Sequence, residues 1–100
     1  MFGNMMEQLQ QMKQKVEESK KRLDTVFVDG IAPGGKVKVT MSGNRKVKSI
    51  SIDDSLLQTD KEELEDLIII ATNNALDQAE KVYEAEMQGA AMGLMPGMGL

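Results

Sequence analysis

Apolar residues in the first quarter of the chain recur at helical spacing. Phe2, Met5, Leu9, Met12, Val16, Ser19 and Leu23 follow one another at alternating intervals of three and four, a heptad seam interrupted only by Ser19. Gln, Glu, Lys and Arg fill the positions between them, and all are good helix formers. The pattern predicts a helix from residue 2 to about residue 24. Its apolar seam is narrow, which suits packing against one other helix better than burial in a large core.

The period then changes from helical to alternating. TVFVDG (25–30) is β-branched and aromatic and reads as a first strand, followed by the turn-rich IAPGG (31–35). KVKVTMS (36–42) is a second strand, Ser-Gly-Asn a tight turn, and RKVKSISID (45–53) a third strand. Short connections predict an antiparallel meander. In the second strand Val37, Val39 and Met41 point one way and Lys36, Lys38 and Thr40 the other. The third strand breaks phase, because Val47 is odd-numbered while Ile50 and Ile52 are even-numbered. Either Val47 lies on the opposite face or a β-bulge near Lys48-Ser49 resets the alternation. The bulge is favoured, since it leaves Lys46 and Lys48 beside Lys36 and Lys38.

DDSLLQTD (53–60) reads as a loop with room for one helical turn, and Thr59 or Asp60 supplies a helix start of capping-box type. The second helix is expected to run to about Gln88 and stop at Gly89. Leu64, Leu67, Ile68, Ala71, Ala75, Ala79 and Val82 form the stripe that should cover the sheet. Ile68, Ile69 and Ile70 are consecutive, however, and successive helical side chains turn by ~100°. A further stripe of Ile69, Leu76, Tyr83 and Met87 therefore needs another partner, in the same chain or a second one. Asn73 falls within it, able to set helix register or to face water.

Composition narrows the chemistry. The chain has 100 residues, no His and no Cys. It therefore has no imidazole base, thiolate nucleophile, ordinary zinc site or disulfide. Its carboxylates form helix-surface runs such as EELED (62–66), so no enzyme and no cofactor are expected. Residues 1–88 suit one small domain, for which sharing a core with a second copy helps. GAAMGLMPGMGL (89–100) reads as a flexible Gly/Met/Pro-containing tail. The methionines at 5 and 12 fill the helical seam; those at 92, 95 and 98 lie in the tail. No run approaches the ~18 apolar residues of a membrane span, and MFGNMMEQLQ lacks the marks of a signal peptide. A cytoplasmic protein is expected.

Charge divides the chain more sharply than its net value of −4 suggests. Residues 13–48 carry +6 and residues 53–86 carry −9, with Glu7 supplying the remainder. A basic portion joined to an acidic one suggests polyanion binding by the former. The candidate contacts are Lys13, Lys15, Lys20, Lys21 and Arg22 on the first helix, and Lys36, Lys38, Arg45, Lys46 and Lys48 on the strands. Two plainer readings compete. Cations in the last helical turns complement the helix dipole, and strand lysines deter edge-to-edge aggregation. The three aromatics, Phe2, Phe27 and Tyr83, are few for stacking on single strands, whereas duplex phosphates require only cationic and polar groups. Gly30 to Lys36 matches the spacing of a phosphate-binding loop, but residue 37 is Val and a strand follows, so it lacks both the hydroxyl for Mg²⁺ and the helix N-terminus.

The central run GGKVKVTMSGNRKVKSISIDDSLLQTDKEELEDLIIIATNNAL resembles the YbaB/EbfC family of bacterial nucleoid-associated proteins. The matching features are Gly-Gly-x-Val-x-Val-x-x-x-Gly (34–43), Ile-Asp-x-Ser-Leu-Leu (52–57), and the acidic helix start leading to Asn73-Asn74-Ala75. The Met/Gln-rich first helix and the tail are similar in composition. The resemblance implies an α+β subunit with an N-terminal helix, a three-stranded antiparallel sheet and a long C-terminal helix. It further implies an intertwined homodimer with projecting helices that grip DNA, and nucleoid organisation or gene regulation without enzymatic activity. Together with the charge pattern this predicts a nucleoid-localised, non-membrane protein. It would bind double-stranded DNA mainly through phosphates with low sequence specificity. The alternative is an adaptor whose acidic helix or Met-rich tail binds a replication or repair protein.

Overall fold

A computed structural model describes the backbone of residues 2–94 and the side chains of residues 5–89. Its elements are α1 (Phe2–Asp24), β1 (Phe27–Ile31), β2 (Val37–Ser42), β3 (Val47–Ile52), a 3-10 turn (Asp54–Gln58) and α2 (Lys61–Leu94). The strands form one antiparallel sheet in the order β1-β2-β3, so the expected α+β meander is present. Gly34 and Gly35 take φ values of 92° and 73° in the β1–β2 turn, a conformation that costs a residue with a Cβ.

The phase break in β3 is resolved by a bulge. Thr40 pairs with Ser49 and Met41 with Val47, so Lys48 is the extra residue. Val47, Ile50 and Ile52 consequently pair with Met41, Val39 and Val37 and share their face. Across β1, the same face carries Val28, Gly30 and Ala32, by pairing and alternation.

Helix α2 lies on that face, over β1 and β2. Ala71, Ala75 and Ala79 are fully buried with Val37, Val39 and Met41, while Leu64, Leu67 and Ile68 pack around them. The small residues set the distance between the layers. A Cβ on Gly30 would fall 2.1 Å from the Ala71 carbonyl oxygen, so helix and strand backbones are in direct contact. On the β1 flank the Asn74 side-chain amide donates to the Ile31 carbonyl at 3.0 Å.

Helix α1 is anchored at its C-terminal end. Leu23 and Ser19 are buried, and Val16 is half-buried where α1 meets α2. The β2–β3 turn caps the open carbonyls of α1: Gly43 N–H donates to Leu23 at 3.0 Å and the Asn44 amide to Lys20 at 2.8 Å. Thr25 N–H and its hydroxyl both donate to the Arg22 carbonyl. Toward the N-terminus the seam loses its partner, leaving Met5, Leu9 and Met12 exposed. The Phe2 side chain lies outside the described residues. The radius of gyration is 19.0 Å, against about 13 Å for a compact chain of this length, because the helices project beyond the sheet.

Helix α2 does not stop at Gly89. It continues to Leu94, through a glycine with open space around it and no positive φ. A glycine ends a helix by turning left-handed, and here Ala90 and Ala91, the strongest helix formers, follow it directly. Residues 95–100 of the expected tail, and the side chains of residues 90–94, lie outside the described residues.

Candidate nucleic-acid interface

The face of the sheet turned away from α2 is cationic. With Val37, Val39 and Met41 directed at the helix, Lys36 and Lys38 lie on the opposite face. The bulge brings Lys46 and Lys48 to the same side. Serine and threonine fill the positions between, where Lys38 pairs with Ser51 and Thr40 with Ser49. The four lysines are all exposed. Two carboxylates accompany them. Asp29 accepts a 2.7 Å hydrogen bond from the Thr40 hydroxyl. Asp53 N–H donates to the Lys36 carbonyl at 2.8 Å. The Asp53 carboxyl is held below the usual carboxylate range, chiefly by the Ser55 backbone N–H, then by the Ser55 side chain, with Lys36 a smaller contributor. Phe27, one of the three aromatics too few to suggest stacking on single strands, also lies on this face. The Lys48 ammonium sits over its ring, 4.1 Å from the centroid.

The basic residues of α1 separate into two flanks. Lys13 and Lys20, seven positions apart, share one flank and are exposed, with Lys21 behind them. Lys15 and Arg22, also seven apart, share the flank nearer α2, and Lys15 is half-buried. Arg22 is engaged: its guanidinium meets Glu86 of α2 at 2.6 Å and donates to Ser19 Oγ at 3.2 Å.

The YbaB/EbfC DNA-binding family model matches residues 1–94, nearly the whole chain. The chain belongs to this family. A nucleoid-associated protein of Flavobacterium johnsoniae is 48% identical over 97 residues, covering 94% of this chain and 91% of that protein. One from Bordetella avium is 45% identical over 101 residues, covering 99% and 94%. The fold is similar to the crystal structure of an uncharacterized protein from Helicobacter pylori. The TM-score is 0.74 at 24% identity, with 95% of this chain and 97% of the other covered.

In this YbaB/EbfC member the ten candidate residues do not make one patch. Arg45 leaves the strand lysines altogether. It sits in the β2–β3 turn at φ 67° and places its guanidinium 4.9 Å from the centre of the Tyr83 ring on α2. Its neighbours in sequence, Lys46 and Lys48, remain on the outer face. The acidic residues occupy the other side of the molecule: Glu62, Asp66, Asp77, Glu80 and Glu84 lie on the surface of α2 turned from the sheet. The two layers therefore carry opposite charge on opposite faces.

A second surface adjoins β3. Helix α2 covers β1 and β2 but leaves the inward-facing Val47 and Ile50 of β3 about half exposed. Ile69 and Leu76 are also exposed, on the α2 flank opposite the one through which Asn74 reaches β1; Leu76 lies roughly 160° round the helix from Asn74. These four side chains form an apolar step, with β3 as its floor and α2 as its wall. Among the described residues no helix is long and apolar enough to cross a membrane.

Proposed function

We propose that this YbaB/EbfC member is a nucleoid-associated protein that binds double-stranded DNA as a homodimer, mainly through phosphates and with low sequence specificity. The observation that carries the reading is the segregation of charge. Four exposed lysines on the outer sheet face oppose the acidic surface of α2, and Lys13, Lys20 and Lys21 add exposed cations on α1. Such a molecule approaches a polyanion in one orientation. Phosphate contacts of this kind are indifferent to base sequence. The names of the Flavobacterium and Bordetella relatives support association with the nucleoid, where an effect on gene expression would follow from occupancy of DNA.

The apolar step beside β3 supports dimerisation. Covering the exposed halves of Val47, Ile50, Ile69 and Leu76 would contribute about 1 kcal/mol each. A second copy presents the same four residues, as a two-fold interface requires.

The test is fluorescence anisotropy on one duplex and a scrambled control across a salt series. Lys36→Gln with Lys38→Gln should weaken both duplexes alike and flatten the plot of log affinity against log salt by about one to two. Glu62→Gln with Glu65→Gln should leave binding unchanged or tighten it, since repulsion is removed. If neither the strand variants nor Gln replacements at Lys13, Lys20 and Lys21 alter the slope, direct DNA binding fails as a reading.

A further inference from the structure

The cationic face carries two apolar side chains that phosphate binding does not use, Ile31, which pairs with Lys38, and Phe27, the one aromatic ring among them. Phe27 is 46% exposed, paired with Ser42 across the strands, with the Lys48 ammonium over its ring and Asp29 next on the same face of β1. A phenyl ring held half in water on such a face contributes little through burial. We propose that it stacks on an unpaired base, and that the outer face of the sheet is a platform for single-stranded DNA. The proposal rests on the reading of this face as a phosphate-binding surface and adds a preference for unpaired strands.

The reason lies in which surfaces each form of DNA exposes. In a duplex the flat faces of the bases are covered by their neighbours, so an open sheet meets it through lysines alone. An unpaired strand frees those faces, and stacking on an aromatic ring is then available whatever the base. Phe27 stands near one end of the platform, with Lys46 and Lys48 close by. Lys38 lies four residues along β2 from Ser42, about 13 Å at strand spacing. A base stacked on Phe27 would thus have cations on either side for neighbouring phosphates. The Lys48 ammonium now over the ring does not block the site. An exposed cation–π contact is weaker than base stacking, and the flexible lysine stem lets the ammonium leave for a phosphate. Asp29 is the one carboxylate amid the strand pairs of this face, tied to Thr40 and outnumbered by the lysines.

The chain contains no tryptophan, so Phe27→Trp places a single fluorophore at the proposed stacking point. Titrating this full-length variant with short oligothymidylate should quench its emission, while a duplex of equal length should bind without quenching. Phe27→Leu should weaken labelled oligothymidylate about five- to tenfold and change duplex affinity by less than about twofold. Phe27→Tyr should restore single-strand binding. Saturation by oligothymidylate without quenching would overturn the proposal. So would equal losses on both forms of DNA in Phe27→Leu, since that marks a structural role. A normal duplex salt response with no quenching removes this inference and leaves the phosphate reading standing. Quenching by single strands with a duplex salt slope indifferent to the lysines removes the duplex reading instead.

Discussion

Gly30 of β1 and Ala75 of α2 touch backbone to backbone: a Cβ built on Gly30 would lie 2.2 Å from the Ala75 nitrogen and 2.7 Å from its Cα. Real Cβ atoms do not approach that closely, and neither neighbour is a side chain that can rotate away. Gly30→Ala should therefore push α2 off the sheet and destabilise the fold by about 3 kcal/mol or more. Chemical denaturation of the variant beside wild type checks this. A loss below about 1 kcal/mol would mean that the layers separate easily.

Gly89 gives the opposite sign. It lies within α2, at ordinary helical backbone angles and with open space around it. Gly89→Ala should raise stability by about 0.5–1 kcal/mol through helix propensity alone. Were Gly89 instead a left-handed helix terminator, the same change would cost a similar amount. The direction of the shift in melting temperature distinguishes the two.

The step formed by Val47, Ile50, Ile69 and Leu76 is expected to be closed by a second copy. Sedimentation at micromolar concentration should give about twice the 11.0 kDa chain mass. Ile50→Asp and Leu76→Asp should each shift the chain toward monomer by placing a charge in the interface. A wild-type chain that sediments as a well-folded monomer would overturn the dimer.

Arg22 and Lys20 should behave differently toward DNA despite lying two residues apart. Arg22 is held by Glu86, whereas Lys20 projects from the exposed flank that it shares with Lys13. Lys20→Gln should flatten the salt dependence of duplex binding by about 0.9, and Arg22→Gln should leave it nearly unchanged. A double-mutant cycle on Arg22 and Glu86 should give a coupling of only about 0.5 kcal/mol, because the arginine is more than half exposed. A slope change at Arg22 equal to that at Lys20 would show that DNA competes successfully with Glu86.

Face and element type were legible in the chain because both follow from local period. The intervals of three and four identify α1, and the odd–even conflict between Val47 and Ile50 located the bulge to within a residue of Lys48. The alanine stripe of α2 likewise marked the surface laid against the sheet. Gly89 does not end α2 as its residue type suggests, because glycine both terminates helices and is tolerated inside them. The outcome depends on the neighbouring turns more than on the residue itself.

Sequence alone determined the order of elements, the inward face of β2, the stripe of α2 laid on the sheet and the separation of basic and acidic segments. Covalent geometry fixes those periods without reference to distant parts of the chain. Tertiary structure alone decided which charges remain available. Arg22 meets Glu86 across 64 positions, Arg45 turns to Tyr83 on the helix side, and Phe27 of β1 comes beneath Lys48 of β3. Each of these contacts depends on how two elements pack in space, and on a turn at Arg45 that reverses the side chain's direction. Residue spacing carries no record of either.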